Sequence, residues 1–319
     1  MKSKMIENQT DKTQKERNLS IDILKLILSF LVVGMHGSIF SDFSPFLSYI
    51  FVHGLARIAV PIFLIISGFY FFEIQTKKQF QKWIKRLFLL YLIWMVVYFK
   101  FWFSLNYKIT LENLIFGYWH LWYLIGAVEA FVLLWCIRNL KFQYLLFIAI
   151  LCAFSGLFLQ YNRNYNFTEI FNPLYKFESA YRNGLFLCFP FVVTGYFINK
   201  YKITKRYKNW TVLLLASVFL LIVEACFNYT HGKKGFDILF SLYFLCPLLF
   251  LYTSNLKYYS KRKTLSMYST GIYLTHIFVL RFLKFTVLSR TPAVIATILL
   301  STLLTYFLVK IQQRFKYIL

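Results

Sequence analysis

Apolar runs long enough to cross a membrane alternate with short polar or basic segments from residue 19 to the end of the chain. The first run, Leu19 to Phe40, has about 22 residues, enough to cross a hydrocarbon core of about 30 Å. The pattern predicts about ten transmembrane helices. Their expected positions are about 19–40, 50–72, 84–103, 119–137, the stretch between Lys141 and Gln160, 184–199, 210–227, 236–254, 265–285, and from Pro292 onward.

The first run carries polar residues along one side of its predicted helix. Lys25 and His36 are eleven positions apart, so they lie within about 20° of each other around the axis. Asp22 and Ser29 lie within about 60° of Lys25. Polar side chains in a membrane helix usually face a bundle interior or a water-filled path, which favours a functional stripe. In the alternative, Asp22 and Lys25 reach back to the interface and His36 caps the outer end.

The distribution of basic residues predicts the orientation of the helices. Twenty-four lysines and arginines lie in the termini and in every second connection, whereas seven lie in the opposite loops. Because basic loops stay in the cytoplasm, both termini are predicted to be cytoplasmic, with His36 and His120 near the outer surface. Residues 1–18 are expected to form a disordered cytoplasmic tail, and 19–319 a single transmembrane domain.

The composition agrees with an all-α polytopic integral membrane protein. The chain is 59% hydrophobic and 15% charged, whereas a soluble domain has about 25% charged residues. The net charge of +24 comes from short clusters between apolar runs, which indicates topology rather than nucleic-acid binding. The five cysteines lie in apolar runs without metal-ligand spacing, so neither a metal nor a disulfide framework is expected.

Ionisable residues inside the predicted spans are the candidates for chemistry. Arg57 lies about 10 Å deep in the second span, with His53 one turn before it. An arginine there could bind a phosphate, a carboxylate or a developing oxyanion, or it could form an ion pair that joins two helices. Ser67-Gly68 in the same span allows either close helix packing or backbone approach to a ligand.

Two later segments add further candidates. The aromatic run 118–123 begins the fourth span, where Trp119 and Tyr123 are expected either as interface anchors or as site residues. His120 in this run has nearly the same predicted depth as His36. Glu224, within the seventh span, should be neutral or paired.

Five motifs, in this order and spacing, resemble the membrane-bound acyltransferase family 3. They are Ile21-Asp22-x-x-Lys25 with His36 eleven positions later, Arg57-x-x-Val60-Pro61-x-Phe63, Ser67-Gly68-Phe69, His120-Leu121-Trp122-Tyr123-Leu124, and Gly271-Ile272-Tyr273-Leu274-x-His276. The resemblance covers the chain after residue 18 and implies ten membrane helices. It also implies transfer of an acyl group, usually acetyl from cytoplasmic acetyl-CoA, to glycans or other acceptors at the outer side. The family histidine at the end of the first helix corresponds to His36.

The chain departs from the family at one position and resembles a particular branch at others. The family usually has arginine at the position of Lys25, and lysine keeps the charge but lacks bidentate phosphate recognition. Glu178-x-x-x-Arg182-Asn183-Gly184, and Glu224 followed by His231-Gly232, resemble the membrane half of vancomycin-resistance serine racemases. That second resemblance implies amino-acid handling or transport.

The sequence therefore predicts a bacterial cytoplasmic-membrane O-acyltransferase, acting as an O-acetyltransferase on an envelope glycan or a lipid-linked sugar. His36 is the predicted general base and Arg57 the group that stabilises the oxyanion. The residues expected to bind the acetyl-CoA donor are Lys25, Ser67 and Arg86. The residues expected to bind the acceptor are His120, Trp122, Tyr123, Glu178, Arg182, Glu224 and His276. The alternatives are a transporter of a small amino acid or related solute and, with less support, a non-catalytic membrane scaffold.

Overall fold

The computed structural model describes residues 17–170, 178–205, 211–232, 235–256, 258–260, 262–284, 286–315 and 317–319. The predicted disordered tail lies, apart from Arg17 and Asn18, outside the described residues. The described helices are α1 (Leu19–His36), α2 (Pro45–His53), α3 (Ala59–Phe71), α4 (Lys77–Val97), α5 (Phe99–Trp102), α6 (Tyr107–Phe116), α7 (Trp122–Ile137), α8 (Phe142–Tyr165), α9 (Phe189–Lys200), α10 (Thr211–His231), α11 (Leu242–Ser254), α12 (Thr264–Leu283) and α13 (Arg290–Gln312). One antiparallel pair of two-residue strands, β1 (Arg17–Asn18) and β2 (Tyr259–Ser260), accompanies them. The prediction of an all-α fold is confirmed for these ranges.

Six stretches in the described ranges are long and apolar enough to cross a membrane. They are Leu19–His36, Pro45–Phe71, Trp119–Ile137, Phe142–Tyr165, Thr211–His231 and Arg290–Gln312. The other four predicted spans correspond to α4, Gly184–Lys200, α11 and α12, which are shorter or more polar. The total of about ten spans and the cytoplasmic placement of both termini stay predictions.

The start of α1 is fixed by the residue before it. The Asn18 side-chain oxygen accepts hydrogen bonds from the backbone N–H groups of Ser20 and Ile21, at 3.0 and 3.4 Å, and so caps the helix. Its side-chain nitrogen donates to the carbonyl of Ser254 at 2.8 Å, which ties α1 to the end of α11. The helix ends at His36 rather than continuing to Phe40, because residues 37–40 form turns in which Phe40 has a positive φ of 66°. His36 therefore lies at a helix end.

The second predicted span is present, but its helix is not continuous, because the chain breaks between two helices. The first helix, α2, begins earlier than expected and ends before Gly54, whose backbone angles (φ −121°, ψ −91°) are not helical. A 3-10 turn at Leu55–Ile58 then leads into α3. Apolar residues lie on both sides of the break, so hydropathy alone did not reveal it. The break places Arg57 in the turn instead of inside a continuous helix.

The eighth predicted span begins at Leu242 and not at about Phe236. Residues 236–241 are non-helical, and two side chains satisfy their backbone groups. Gln160 accepts hydrogen bonds from two successive backbone N–H groups of this segment, at 2.7 and 2.9 Å. Glu224 accepts from two others, at 2.7 and 2.8 Å. Irregular backbone is stable inside a membrane protein only when its polar groups are paired in this way.

Three smaller differences concern helix ends. The helix α4 begins at Lys77, earlier than predicted, because Thr76 and Gln79 form a reciprocal capping box in a segment whose lysines resemble a loop. The helix α8 continues to Tyr165, into the segment predicted as a break. The short helix α6 lies in a connection for which no helix was predicted.

The helices α3 and α9 cross where each presents a glycine to the backbone of the other. A Cβ atom at Gly68 would overlap the carbonyl oxygen of Val192, and one at Gly195 would overlap the carbonyl oxygen of Ile65. Small residues allow membrane helices to approach this closely. Of the two roles that the sequence left open for Ser67-Gly68, Gly68 takes the role of close helix packing.

Replacing Gly195 with alanine is expected to lower the free energy of unfolding by about 1–3 kcal/mol, because the overlapping atoms are backbone atoms that cannot move aside. Thermal unfolding of the purified protein in detergent measures the effect. The matched control is Ala216→Val on an exposed side of α10, which should unfold at the wild-type temperature. A Gly195→Ala protein as stable as the wild type would contradict the close crossing.

Candidate active site

Three histidines from distant parts of the chain meet inside the bundle. His36 ends α1, His120 lies in the 3-10 turn Trp119–Leu121 before α7, and His276 lies in α12. The ring centroids of His36 and His276 are 5.3 Å apart, and those of His120 and His276 are 5.1 Å apart. Among the described residues, no group of three or more His, Cys, Asp or Glu side chains is arranged to hold a metal ion. Imidazoles this close together suit proton transfer and hydrogen bonding.

The hydrogen bonds of His276 define its tautomer. Its Nδ1 donates to the backbone carbonyl oxygens of Tyr273 and Ile272, at 2.6 and 3.3 Å, and a carbonyl oxygen can only accept. The proton of the neutral ring is therefore on Nδ1, and Nε2 keeps its lone pair. That Nε2 is buried and has no hydrogen-bond partner among the described residues. His276 thus presents an acceptor toward the other two histidines.

His36 is held in the opposite tautomer by Trp119. The indole N–H of Trp119 donates to His36 Nδ1 at 3.0 Å. Because an indole nitrogen only donates, Nδ1 is the acceptor, and the proton of the neutral imidazole lies on Nε2. Trp119 has a positive φ of 44°, unusual for a bulky residue, and directly follows the Gly117-Tyr118 turn. The Trp119 ring meets the His36 ring edge to face, with ring centroids 5.9 Å apart.

An alternating chain of five charged side chains, here called the charge chain, lies beside His36. Its members are Arg57, Asp237, Arg182, Glu178 and Arg163. Arg57 Nη1 contacts Asp237 Oδ1, and Arg182 Nη1 lies 3.7 Å from the same oxygen. Arg182 Nη2 lies 2.7 Å from Glu178 Oε2, and Arg163 Nη1 lies 4.0 Å from Glu178 Oε1. The charge chain joins the turn before α3, the end of α8 and the segments before α9 and α11.

Asp237 is the central member of the charge chain, and the sequence analysis missed it. Its carboxyl group is buried, and the guanidinium groups of Arg57 and Arg182 compensate its negative charge. The tyrosine hydroxyl of Tyr181 also donates to Asp237 Oδ2 at 3.4 Å. A signal was present, since an aspartate at the very start of a predicted span requires a partner.

Two adjoining cavities meet at His36. The wide cavity has a volume of about 500 Å³ and the narrow cavity about 40 Å³. Both are lined by Met35, His36, Arg57, Arg182 and Asp237. The wide cavity is further lined by His53, Trp119, Arg163 and Glu178, and the narrow cavity by Val60, Pro61, His120, Trp122 and Tyr273. His36 is therefore accessible from both sides of this junction.

Most of the predicted acceptor residues lie at or beside the cavities. His120, Trp122, Glu178 and Arg182 line one or both of them. His276 contacts His36 as described above. Tyr123 packs against Tyr273 with ring centroids 5.7 Å apart, and its hydroxyl interacts with the Ser67 side chain.

Glu224, the remaining predicted acceptor residue, lies outside the cavities. Neither of the two cavities has Glu224 in its lining. Its carboxylate accepts the two backbone N–H groups before α11 and the hydroxyl proton of Tyr161. Glu224 therefore holds the segment that carries Asp237, which does not fit the expected contact with the acceptor.

Neither cavity has a predicted donor residue, Lys25, Ser67 or Arg86, in its lining. Lys25 is about 16 Å from His36 along α1 and lies 3.4 Å from Asp22, which also pairs with Arg17 at 3.1 Å. Arg86 Nη2 donates to the carbonyl oxygen of Leu319 at 3.5 Å. The Lys25 end and the His36 end of α1 are thus two separate polar regions of one helix.

Apolar helices that enclose a polar, histidine-lined interior define the chain as a helical membrane protein. The sequence profile of the acyltransferase-3 family, described as an acyltransferase domain, matches residues 18–310. The chain belongs to this family, as its motifs predicted. Family membership supports a membrane acyltransferase.

Curated relatives agree with the second resemblance. Two proteins from Enterococcus faecalis, both described as amino-acid racemase, are 25% identical over 296 residues and 26% identical over 243 residues. The alignments cover 82% and 71% of this chain but 41% and 33% of the relatives. The chain therefore spans less than half the length of these relatives. No solved structure matches the chain significantly.

Proposed function

We propose that the protein is a membrane O-acetyltransferase that moves an acetyl group from cytoplasmic acetyl-CoA to a hydroxyl group of an envelope glycan or lipid-linked sugar. The observation that carries the proposal is the position of His36, at the junction of the two cavities and at the far end of α1 from Lys25. The Lys25 end, with Arg17 beside it, attracts the phosphates of the donor. His36 then acts where donor and acceptor meet.

The size of the narrow cavity supports acetyl as the transferred group. Its volume is about 40 Å³, room for about three water-sized atoms. An acetyl group has three heavy atoms and fits this space. The apolar lining residues Val32, Val60 and Leu187 suit its methyl group.

In the proposed reaction the acceptor hydroxyl replaces the Trp119 indole at His36 Nδ1. The hydroxyl proton passes to Nδ1 while the oxygen attacks the thioester carbonyl. The C–S bond then breaks, and the CoA thiolate leaves and takes the proton from the imidazolium. Arg57, which lines both cavities, stabilises the negative oxygen that forms during the attack.

Replacing Trp119 with phenylalanine is expected to raise acetyl-CoA hydrolysis in the absence of an acceptor by about 2- to 10-fold. Phenylalanine cannot donate a hydrogen bond to His36 Nδ1, so this nitrogen is free to accept a proton from water. Release of free CoA without acceptor measures the effect. Trp135→Phe, whose ring stacks on Phe80 away from both cavities, is the matched control. Unchanged hydrolysis in the Trp119→Phe protein would contradict the proposed covering of the base.

A second candidate function is transport of a small amino acid or related solute. The charge chain favours it, because arginines suit a carboxylate and the two carboxylates suit an ammonium group. Purified protein in vesicles, supplied with labelled acetyl-CoA, separates the two candidates. The proposal predicts CoA release that depends on His36 and on an acceptor. Solute uptake without any CoA release would establish the transporter instead.

A further inference from the structure

The charge chain has more positive than negative groups. It contains three arginines and two carboxylates, so one positive charge is left over when the neighbouring histidines are neutral. Each carboxylate is shared by two arginines, and an arginine lies at each end. Within the described residues, Asp237 and Glu178 are the carboxylates that line the wide cavity.

The terminal arginines also have unused donors. The Nε atoms of Arg57 and Arg163 are buried and have no hydrogen-bond partner in the described part of the chain. A buried donor without a partner is costly. The planar guanidinium group of an arginine has five N–H donors, and here the Nε donor is the one left unpaired. A network that served only to join helices would be expected to pair its charges and to place its spare donors in water.

The other acidic side chains near the bundle are engaged elsewhere. Glu129 accepts the backbone N–H of Gly184 at 3.0 Å, and Glu224 accepts the backbone before α11. Asp22 pairs with Arg17 and Lys25 at the opposite end of α1. These contacts leave the surplus positive charge of the wide cavity without a protein counter-charge among the described residues.

We propose that the acceptor is anionic, with a carboxylate or phosphate group that binds Arg163, which keeps an unpaired donor, and the neighbouring Arg182 of the wide cavity, while a hydroxyl of the same sugar unit reaches His36. This inference rests on the proposed function and names the class of its acceptor. The wide cavity, at about 500 Å³, lies in the size range of small-ligand pockets and has room for one sugar unit. Guanidinium groups bind both carboxylate and phosphate through paired hydrogen bonds, so the two anions share the same recognition.

The first test measures binding without turnover. His36→Ala protein is titrated with methyl glucuronide, methyl glucoside 6-phosphate and methyl glucoside, which differ only in the group at carbon 6. We expect at least one of the two anionic sugars to bind about 10-fold or more tightly than the neutral glucoside. The anionic sugar that binds more tightly shows whether the site prefers a carboxylate or a phosphate. Equal binding of all three sugars would overturn the inference.

Variants of the charge chain test the assignment of residues. Arg182→Gln should lose the preference for the anionic sugar, whereas Arg182→Lys should keep part of it because the charge remains. Arg138→Gln is the matched control, because Arg138 bonds the backbone of Ile74 and Gln75 and stacks on Trp135. An anion preference that persists in folded Arg182→Gln and Arg163→Gln proteins would overturn the assignment.

Turnover by the wild-type protein separates the failure of this inference from failure of the proposed function. His36-dependent CoA release that is equal with neutral and anionic sugars would overturn the anionic acceptor alone. Absence of CoA release with every sugar, together with tight binding of an anionic sugar, would overturn the acyltransferase and leave the anion site standing.

Discussion

Replacing His36 with alanine is expected to lower acyl transfer by about 10²–10⁴-fold, the usual contribution of a general base. The effect should fall on the chemical step, because His36 contacts the reacting hydroxyl while the arginines of the wide cavity bind the acceptor. Donor and acceptor affinities should therefore change much less than the maximal rate. Rates of CoA release over a range of acetyl-CoA and acceptor concentrations give the maximal rate and the concentration dependence separately.

A matched histidine provides the control for His36. His231 ends α10, is exposed, and bonds the backbone carbonyl of Phe227 at 3.1 Å. His231→Ala should keep the wild-type rate. Both variants should unfold at temperatures close to the wild type, because neither removes a large part of the core. Comparable activity of the His36→Ala and His231→Ala proteins would contradict the role of His36.

Arg57 and Asp237 give the second large expected effect, and a double-mutant cycle separates stability from catalysis. Arg57→Gln leaves the buried Asp237 carboxylate with one arginine partner, and breaking such a pair costs about 3–5 kcal/mol of unfolding free energy. The Arg57→Gln/Asp237→Asn protein removes both charges and should regain much of that loss. Thermal unfolding measures the stability term.

Acyl transfer should not return in the double variant. If Arg57 stabilises the oxyanion, activity stays about 10²–10³-fold below the wild type even where stability recovers. The sequence allowed a second role for Arg57, an ion pair that joins helices, and the structure contains that pair. Recovery of both stability and activity in the double variant would show that Arg57 serves only to form the ion pair with Asp237.

The elements that the sequence predicted well are those with a continuous local signal. The start of α1 follows from Asn18 and the apolar run after it, and the polar stripe of Lys25 and His36 lies along that helix as the period predicted. The helix α7 ends at Ile137, as expected from the basic residue that follows. In these cases neighbouring residues alone determine the structure.

The features that were missed depend on partners far away in the chain. Arg57 and Asp237 are 180 positions apart, and the segment of Asp237 is non-helical because Gln160 and Glu224 bind its backbone. Hydropathy placed this segment inside a helix, since its side chains are apolar apart from Asp237 and Ser241. The contact of Trp119 with His36 across 83 positions was equally hidden.

The most direct test of the account is transfer of a labelled acetyl group. Vesicles that contain the purified protein receive acetyl-labelled acetyl-CoA and an anionic sugar acceptor, and mass spectrometry then detects the ester on the sugar. The account predicts a labelled O-acetyl ester that forms in proportion to CoA release with the wild-type and His231→Ala proteins and is lost with His36→Ala. Ester formation at the wild-type rate by a folded His36→Ala protein would contradict it.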